Sequence, residues 1–163
     1  MVSCCRRKGE PRVPDYENLT AQLTALADAE PWYVPLLSNA SALLMETLPD
    51  LNWAGFYLLR NGELVLGPFQ GKVACIRIAP GRGVCGTALQ RDETQLVPDV
   101  HAFPGHIACD SASNSEIVVP IHSGGRVAAV LDLDSPLPGR FTENDRAGLE
   151  TFVRALEEFI RFD

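Results

Sequence analysis

From Tyr16 to about Ala29, Leu19, Leu23, Leu26 and Ala27 recur every three or four residues, the spacing of one buried helix face. Pro31 and Pro35 bracket Trp32 and Tyr33, which predicts a break. A second helix is then expected over about Leu36 to Leu48, with Leu36, Leu37, Ala40, Leu43, Leu44 and Leu48 inward. Past "LPDLN" the period changes to two. "WAGFYLLR" and "ELVLGPF", joined by Asn61-Gly62, predict a β-hairpin. "VACIRIAP" reads as the next strand, with Ala74, Ile76 and Ile78 on one face and Cys75 and Arg77 on the other. "GRGVCG" ends it, "TALQRD" is a short helix and "TQLVPDV" a brief strand. The Gly, Pro, Ser and Asn content of "HAFPGHIACDSASNSE" predicts a loop. "IVVPIHS", Gly124-Gly125 and "RVAAVLDLDS" form a second hairpin. "TENDRAGLETFVRALEEFI" is an amphipathic helix opening on a Thr142/Asp145 capping box. This order predicts an α+β domain over residues 15–163, with residues 1–14 a tail. Its sheet is antiparallel, and the terminal helices pack together on one face.

Composition narrows the function classes. A chain of 163 residues with 46% hydrophobic and 21% charged residues is sized for one globular domain with its own core. No apolar run approaches the roughly 18–20 residues of a membrane span. The N-terminus lacks the apolar segment of a secretory signal, so a cytoplasmic protein is expected. The net charge of −7 speaks against nucleic acid as a partner. The basic patch Arg6, Arg7 and Lys8 is too short to alter that.

Five cysteines in a reducing compartment point to redox, catalytic or metal chemistry rather than structural disulfides. Cys4 and Cys5 lie in the tail, whereas Cys75, Cys85 and Cys109 fall in the structured middle with spacing C-x9-C-x23-C. "GRGVCG" fits the G-x-G-x-x-G of a dinucleotide turn, but the following helix is short, the next acidic strand-end residue, Asp99, comes too soon, and the sheet is antiparallel. Gly81, Gly83 and Gly86 still permit a tight strand-to-helix turn that puts Cys85 near a helix N-terminus. There a thiolate is stabilised and its pKa is expected to fall. A small buried apolar side chain is the other reading of Cys85.

In "VLDLDS", Asp132 and Asp134 point to one face of a strand, with Glu116 beside them at the start of the preceding one. Such a cluster can hold a carboxyl protonated for general acid work, can bind an ammonium group, or can be a solvated sheet face. Trp53 and Tyr57, four apart on a strand, share a face and wall either a pocket or the core. His101, His106 and Cys109 have an H-x4-H-x2-C spacing that could hold zinc. A fourth ligand has no clear source beyond His122 or Cys85, so no metal is expected.

Together, "LNWAGFYLL", "LGPFQGKVACIRIAPGRGVCGTA", "HIACDSASNSEIVVPI" and "AVLDLDSP" resemble the free methionine-(R)-sulfoxide reductases, a family of GAF domains. The resemblance runs from about Tyr16 to Ile160. It implies a central antiparallel sheet with helices on one side and ligand-covering loops on the other. It implies reduction of free methionine-(R)-sulfoxide without a cofactor, by a homodimer that thioredoxin restores. By position, Cys109 would be the nucleophile, in a Ser-rich loop closing on the substrate. Cys75 and Cys85 would be the resolving and relaying thiols, their order open. Glu116, Asp132 and Asp134 match the family's acidic pocket, and Trp53 and Tyr57 its aromatic wall. The rival classes are a non-catalytic GAF module that binds a small molecule and a thiol redox sensor. Modules of the first kind are usually joined to an output domain, for which this chain leaves no room.

Overall fold

Helix α1 (Tyr16–Ala29) starts where the Asp15 carboxylate accepts the Asn18 amide at 3.0 Å, and it buries Leu19, Leu23 and Ala27. Helix α2 (Tyr33–Thr47) begins three residues ahead of the expected Leu36. Pro35 sits in its first turn, where backbone N–H groups have no intrahelical acceptor, so the ring breaks nothing. Strands β1 (Trp53–Arg60) and β2 (Glu63–Gly71) form the expected hairpin, with positive φ at both Asn61 and Gly62. The computed structural model describes residues 14–105 and 111–162.

The strand expected through "VACIRIAP" shrinks to β3 (Arg77–Ile78), paired to β2 at Leu64 and Val65. Ile76, expected to share a face with Ile78, is 72% exposed, whereas Ile78 is buried. The segment before it is drawn off the sheet: the Trp53 indole N–H donates to the Lys72 carbonyl at 3.1 Å, and Val73 and Ala74 turn to line a cavity. Helix α3 (Gly83–Arg91) starts inside "GRGVCG", four residues ahead of the expected Thr87, and strand β4 (Gln95–Val97) lies within the expected "TQLVPDV". Among the described residues, a 3-10 turn, Val100–Ala102, opens the expected loop, and the hairpin β5 (Ser115–Ser123) and β6 (Arg126–Ser135) follows it. Helix α4 (Glu143–Phe159) closes the described chain with the expected capping box.

Neighbouring strands of the six-stranded sheet, in the order β3-β2-β1-β6-β5-β4, are all antiparallel. Period two divides each strand between two faces. Ala54, Phe56, Ile117, Val119, Leu131 and Leu133 point to the three long helices and meet Leu19, Leu37, Leu149 and Phe152. The other face carries Trp53, Tyr57, Val118 and Val130 and is covered by α3. Among the described residues no helix is long and apolar enough to cross a membrane.

The helices are tied down at their ends. Asp145 accepts the Thr142 amide at 2.8 Å and the Tyr16 hydroxyl at 2.7 Å, and it pairs with Arg140 at 3.3 Å. Burial opposes its charge, but these donors outweigh burial and hold its carboxyl below the usual range. At the sheet's far edge, the His122 ring bonds Glu157 at 2.9 Å and Asp92 at 2.7 Å. Burial disfavours the imidazolium, yet the two carboxylates outweigh it and the His122 pKa rises. A raised folded-state pKa adds stability below the unfolded value of about 6.5, and that stability is lost as pH climbs through the folded value. The thermal-melting advantage of wild type over His122→Gln is therefore expected to be larger at about pH 5.5 than at about pH 9. Equal differences at both would contradict the ion pairs.

Candidate active site

Register builds the pocket floor. Trp53 lies opposite Asp134, Gly55 opposite Asp132 and Tyr57 opposite Val130, while Glu116 on the other side pairs with Asp134 and Val118 with Asp132. The three expected acids thus meet near the middle of the sheet, on the face away from the long helices. Glu116 and Asp132 are buried, and Asp134 is partly so. A solvated sheet face is therefore excluded. The aromatic wall is wider than expected: Trp53 stacks on Tyr57 at 5.9 Å and on Phe69 at 5.2 Å. Gly55 makes that possible, since a Cβ there would lie 2.3 Å from Phe69 Cβ and 2.7 Å from the Trp53 ring.

Helix α3 delivers Cys85 to the acids. Its Sγ lies 3.3 Å from Asp132 Oδ2 and 4.0 Å from Glu116 Oε1. The thiol is buried and is the free cysteine among the described residues, whereas Cys75 is disulfide-bonded. The expectation of a lowered Cys85 pKa is corrected. Burial pushes the thiol up, and Asp132, Glu116 and Asp134 push it further, so Cys85 stays neutral and donates to Asp132. The α3 N-terminus is outweighed by two buried carboxyls at contact distance. The turn itself is as tight as expected. The Gly81 amide donates to the Gly86 carbonyl at 2.8 Å, and a Cβ at Gly86 would sit 2.4 Å from the Ala79 carbonyl oxygen. Since backbone must move to admit it, Gly86→Ala is expected to destabilise the domain by about 1–3 kcal/mol in a denaturant titration. A neutral result would mean that the turn is slack.

Burial raises Glu116 well above the carboxylate range, with Asp132 and Asp134 adding to the rise. Burial also pushes Asp132 up to about 7, although hydrogen bonds from Cys85 and Glu116 restrain it. Glu116 and Asp132 hydrogen-bond through a shared proton, which burial holds to higher pH than on a solvated carboxyl. Asp132 Oδ1 is buried and has no hydrogen-bond partner among the described residues. The cavity above the acids has about 520 Å³ of empty space, counted out into the solvent at its open mouth. Its lining holds two polar side chains absent from the expected set: Arg82 at the start of α3, and Ser113, which accepts the Asn52 amide at 3.0 Å. Arg82 lies inside "GRGVCG", and a pocket holding three acids needs a cation for any zwitterionic ligand. That signal was present in the sequence.

A GAF domain model matches residues 17–160. The chain is 54% identical over 145 residues to the free methionine-R-sulfoxide reductase of Escherichia coli K12, covering 89% of this chain and 88% of that protein. It is 45% identical over 150 residues to the free methionine-R-sulfoxide reductase of Saccharomyces cerevisiae, covering 87% of this chain and 83% of that one. The solved free methionine-R-sulfoxide reductase of Neisseria meningitidis, in complex with its substrate, superposes with a TM-score of 0.87 at 42% identity, over 94% of this chain and 92% of that chain. The chain belongs to the GAF-domain family of free methionine-R-sulfoxide reductases.

As a free methionine-R-sulfoxide reductase family member, the chain keeps the expected acids and aromatics around one pocket. Of the expected site residues, Cys109 lies outside the described residues, as does His106 of the zinc-spaced set. The described histidines of that set are engaged elsewhere. His101 Nε2 bonds Asn114 Oδ1 at 3.0 Å, and His122 is held by Glu157 and Asp92. Cys75 and Ala74 lie on the segment between β2 and β3, and Ala74 lines the cavity. The four-residue run from Ser111 to Asn114 leads into β5, and Asn114 anchors it by donating to the Pro136 carbonyl at 2.8 Å.

Proposed function

We propose that this chain reduces free methionine-(R)-sulfoxide to methionine by a thiol mechanism centred on Cys109. Membership of the family makes it an oxidoreductase acting on methionine sulfoxide. The observation that carries the finer reading is the buried Glu116–Asp132 pair lining the pocket, where burial raises the Glu116 carboxyl well above its ordinary range. A sulfoxide oxygen departs from sulfur only when protonated, so a thiol reductase needs an acid that keeps its proton at neutral pH.

In the proposed sequence, the Cys109 thiolate attacks the substrate sulfur while Glu116 or Asp134 passes a proton to its oxygen. The oxygen then passes to the cysteine: the substrate sulfur–oxygen bond and the new sulfur–sulfur bond break, a Cys109 Sγ–O bond forms, methionine leaves, and Cys109 is left as a sulfenic acid. Cys75 then displaces water to form the Cys75–Cys109 disulfide, a pairing supported by the disulfide-bonded state of Cys75. Cys85, neutral and tied to Asp132, is the relaying thiol that exchanges with this disulfide afterwards and does not resolve the sulfenic acid in place of Cys75. An external dithiol, thioredoxin in a cytoplasmic setting, reduces the disulfide by exchange. The unpartnered Oδ1 of Asp132 suits the α-ammonium group, Arg82 the α-carboxylate, and the Trp53 face the methyl group. A site that reads both charges of a zwitterion favours a free amino acid over a residue within a chain. The active form is proposed to be a homodimer.

The test is NADPH oxidation coupled through thioredoxin and its reductase, with resolved (R) and (S) free sulfoxides. Consumption with (R) alone is expected. No consumption with either epimer would sink the proposal.

A further inference from the structure

Cys85, Glu116 and Asp132 offer one ligand atom each, all three buried and within 4.8 Å of one another. In a tetrahedral site with a metal–sulfur bond near 2.3 Å and metal–oxygen bonds near 2.1 Å, sulfur and oxygen lie about 3.6 Å apart. The Cys85 Sγ distances of 3.3 and 4.0 Å to the two carboxylates bracket that edge. Asp132 supplies a further, independent sign of a missing ligand: it is 6% exposed, lines the cavity, and leaves Oδ1 unpartnered.

We propose that Cys85, Glu116 and Asp132 form an inhibitory site for a thiophilic divalent cation of the zinc class, with the fourth coordination position open to the pocket. One sulfur and two oxygens favour a borderline-soft ion over magnesium or calcium, which take oxygen alone. Binding involves no redox change. A Cys85 sulfur–metal bond replaces the sulfur–hydrogen bond, the Glu116 carboxyl also gives up its proton, and both protons leave to solvent. The cation would then occupy the place of the substrate's ammonium group and discharge the acid that the reaction needs. The inhibition rests on the function proposed above, whereas the binding does not.

Cadmium serves as the probe because its thiolate complexes absorb in the ultraviolet. In a variant carrying Cys4→Ser, Cys5→Ser, Cys75→Ser and Cys109→Ser, Cys85 is the one thiol left. This variant is expected to take up one Cd²⁺ per chain with a thiolate band and to release protons as it binds. Adding Cys85→Ser should abolish the band. Since even outer-shell partners of a metal site are worth about 10–100-fold in affinity, adding Asp132→Asn should weaken uptake at least tenfold. Thermal melts confirm that each variant is folded. No uptake by the Cys85-only variant, or uptake indifferent to Asp132→Asn, would overturn the site. Excess methionine-(R)-sulfoxide should displace the ion. Uptake that depends on Asp132 but is unmoved by the sulfoxide would leave the site standing and count against the proposed substrate.

Discussion

Cys109→Ser is expected to lower turnover of free methionine-(R)-sulfoxide by about 10⁴-fold or more, because no neighbouring group replaces an attacking thiolate. Serine is too weak a nucleophile at neutral pH to take its place. The contrast with Cys75→Ser gives the result its meaning. Loss of a resolving thiol leaves the first chemical step intact, so prereduced Cys75→Ser should release about one methionine per chain and then stop. Its Cys109 sulfenic acid should be open to a carbon nucleophile such as dimedone. Rapid quenching with methionine quantified by chromatography separates the two variants. A full single turnover by Cys109→Ser would transfer the nucleophilic role elsewhere, and Cys85 would be the next residue to examine.

Glu116→Gln should lower kcat by about 10²–10⁴-fold with little change in KM, the usual span for removing a general acid. The substitution keeps shape and lets an amide N–H donate to Asp132, so the floor of the pocket survives while the transferable proton is gone. Asp134→Asn is likewise expected to slow the chemical step more than it weakens binding. Asp132→Asn should instead act mainly on KM, since it removes the charge facing the ammonium group. In wild type the proton is lost as pH rises. Because the Glu116 carboxyl is raised well above the usual range and Asp132 to about 7, kcat should decline on the alkaline side, and Glu116→Gln should flatten that decline. A Glu116→Gln enzyme with normal kcat would move the acid to Asp134.

Most of the fold was legible because its signals are periodic. Alternation marked both hairpins, and three-to-four spacing marked the three long helices, since each face of these elements is buried uniformly. Pro35 misled because proline is read as a breaker, although in the first turn of α2 it breaks no bond. The "VACIRIAP" segment misled because its alternation serves a cavity wall rather than a sheet. The acids were legible as a group, because strand period two and the register of a short hairpin place them together. The state of Cys85 was not. Local sequence puts it at a helix N-terminus, where a thiolate is favoured, but Asp132 lies 47 positions away and Glu116 31 positions away. Only the packing of α3 on the sheet buries the sulfur and brings these carboxyls to it, and burial first, then the carboxyls, prevail over the helix end.

The shared proton also bears on the history of such a domain. Carboxyls with folded-state pKa values raised above their unfolded ones lower stability as pH climbs from about 4 toward neutrality. Glu116 and Asp132 are both of this kind, so at physiological pH the pocket works against the fold that holds it. A descendant that abandoned the reaction would become sturdier with each acid it replaced by an apolar or amide side chain. Mutational drift therefore runs from enzyme to inert binding pocket far more readily than back, because the return path must bury charge before any turnover exists to select for it.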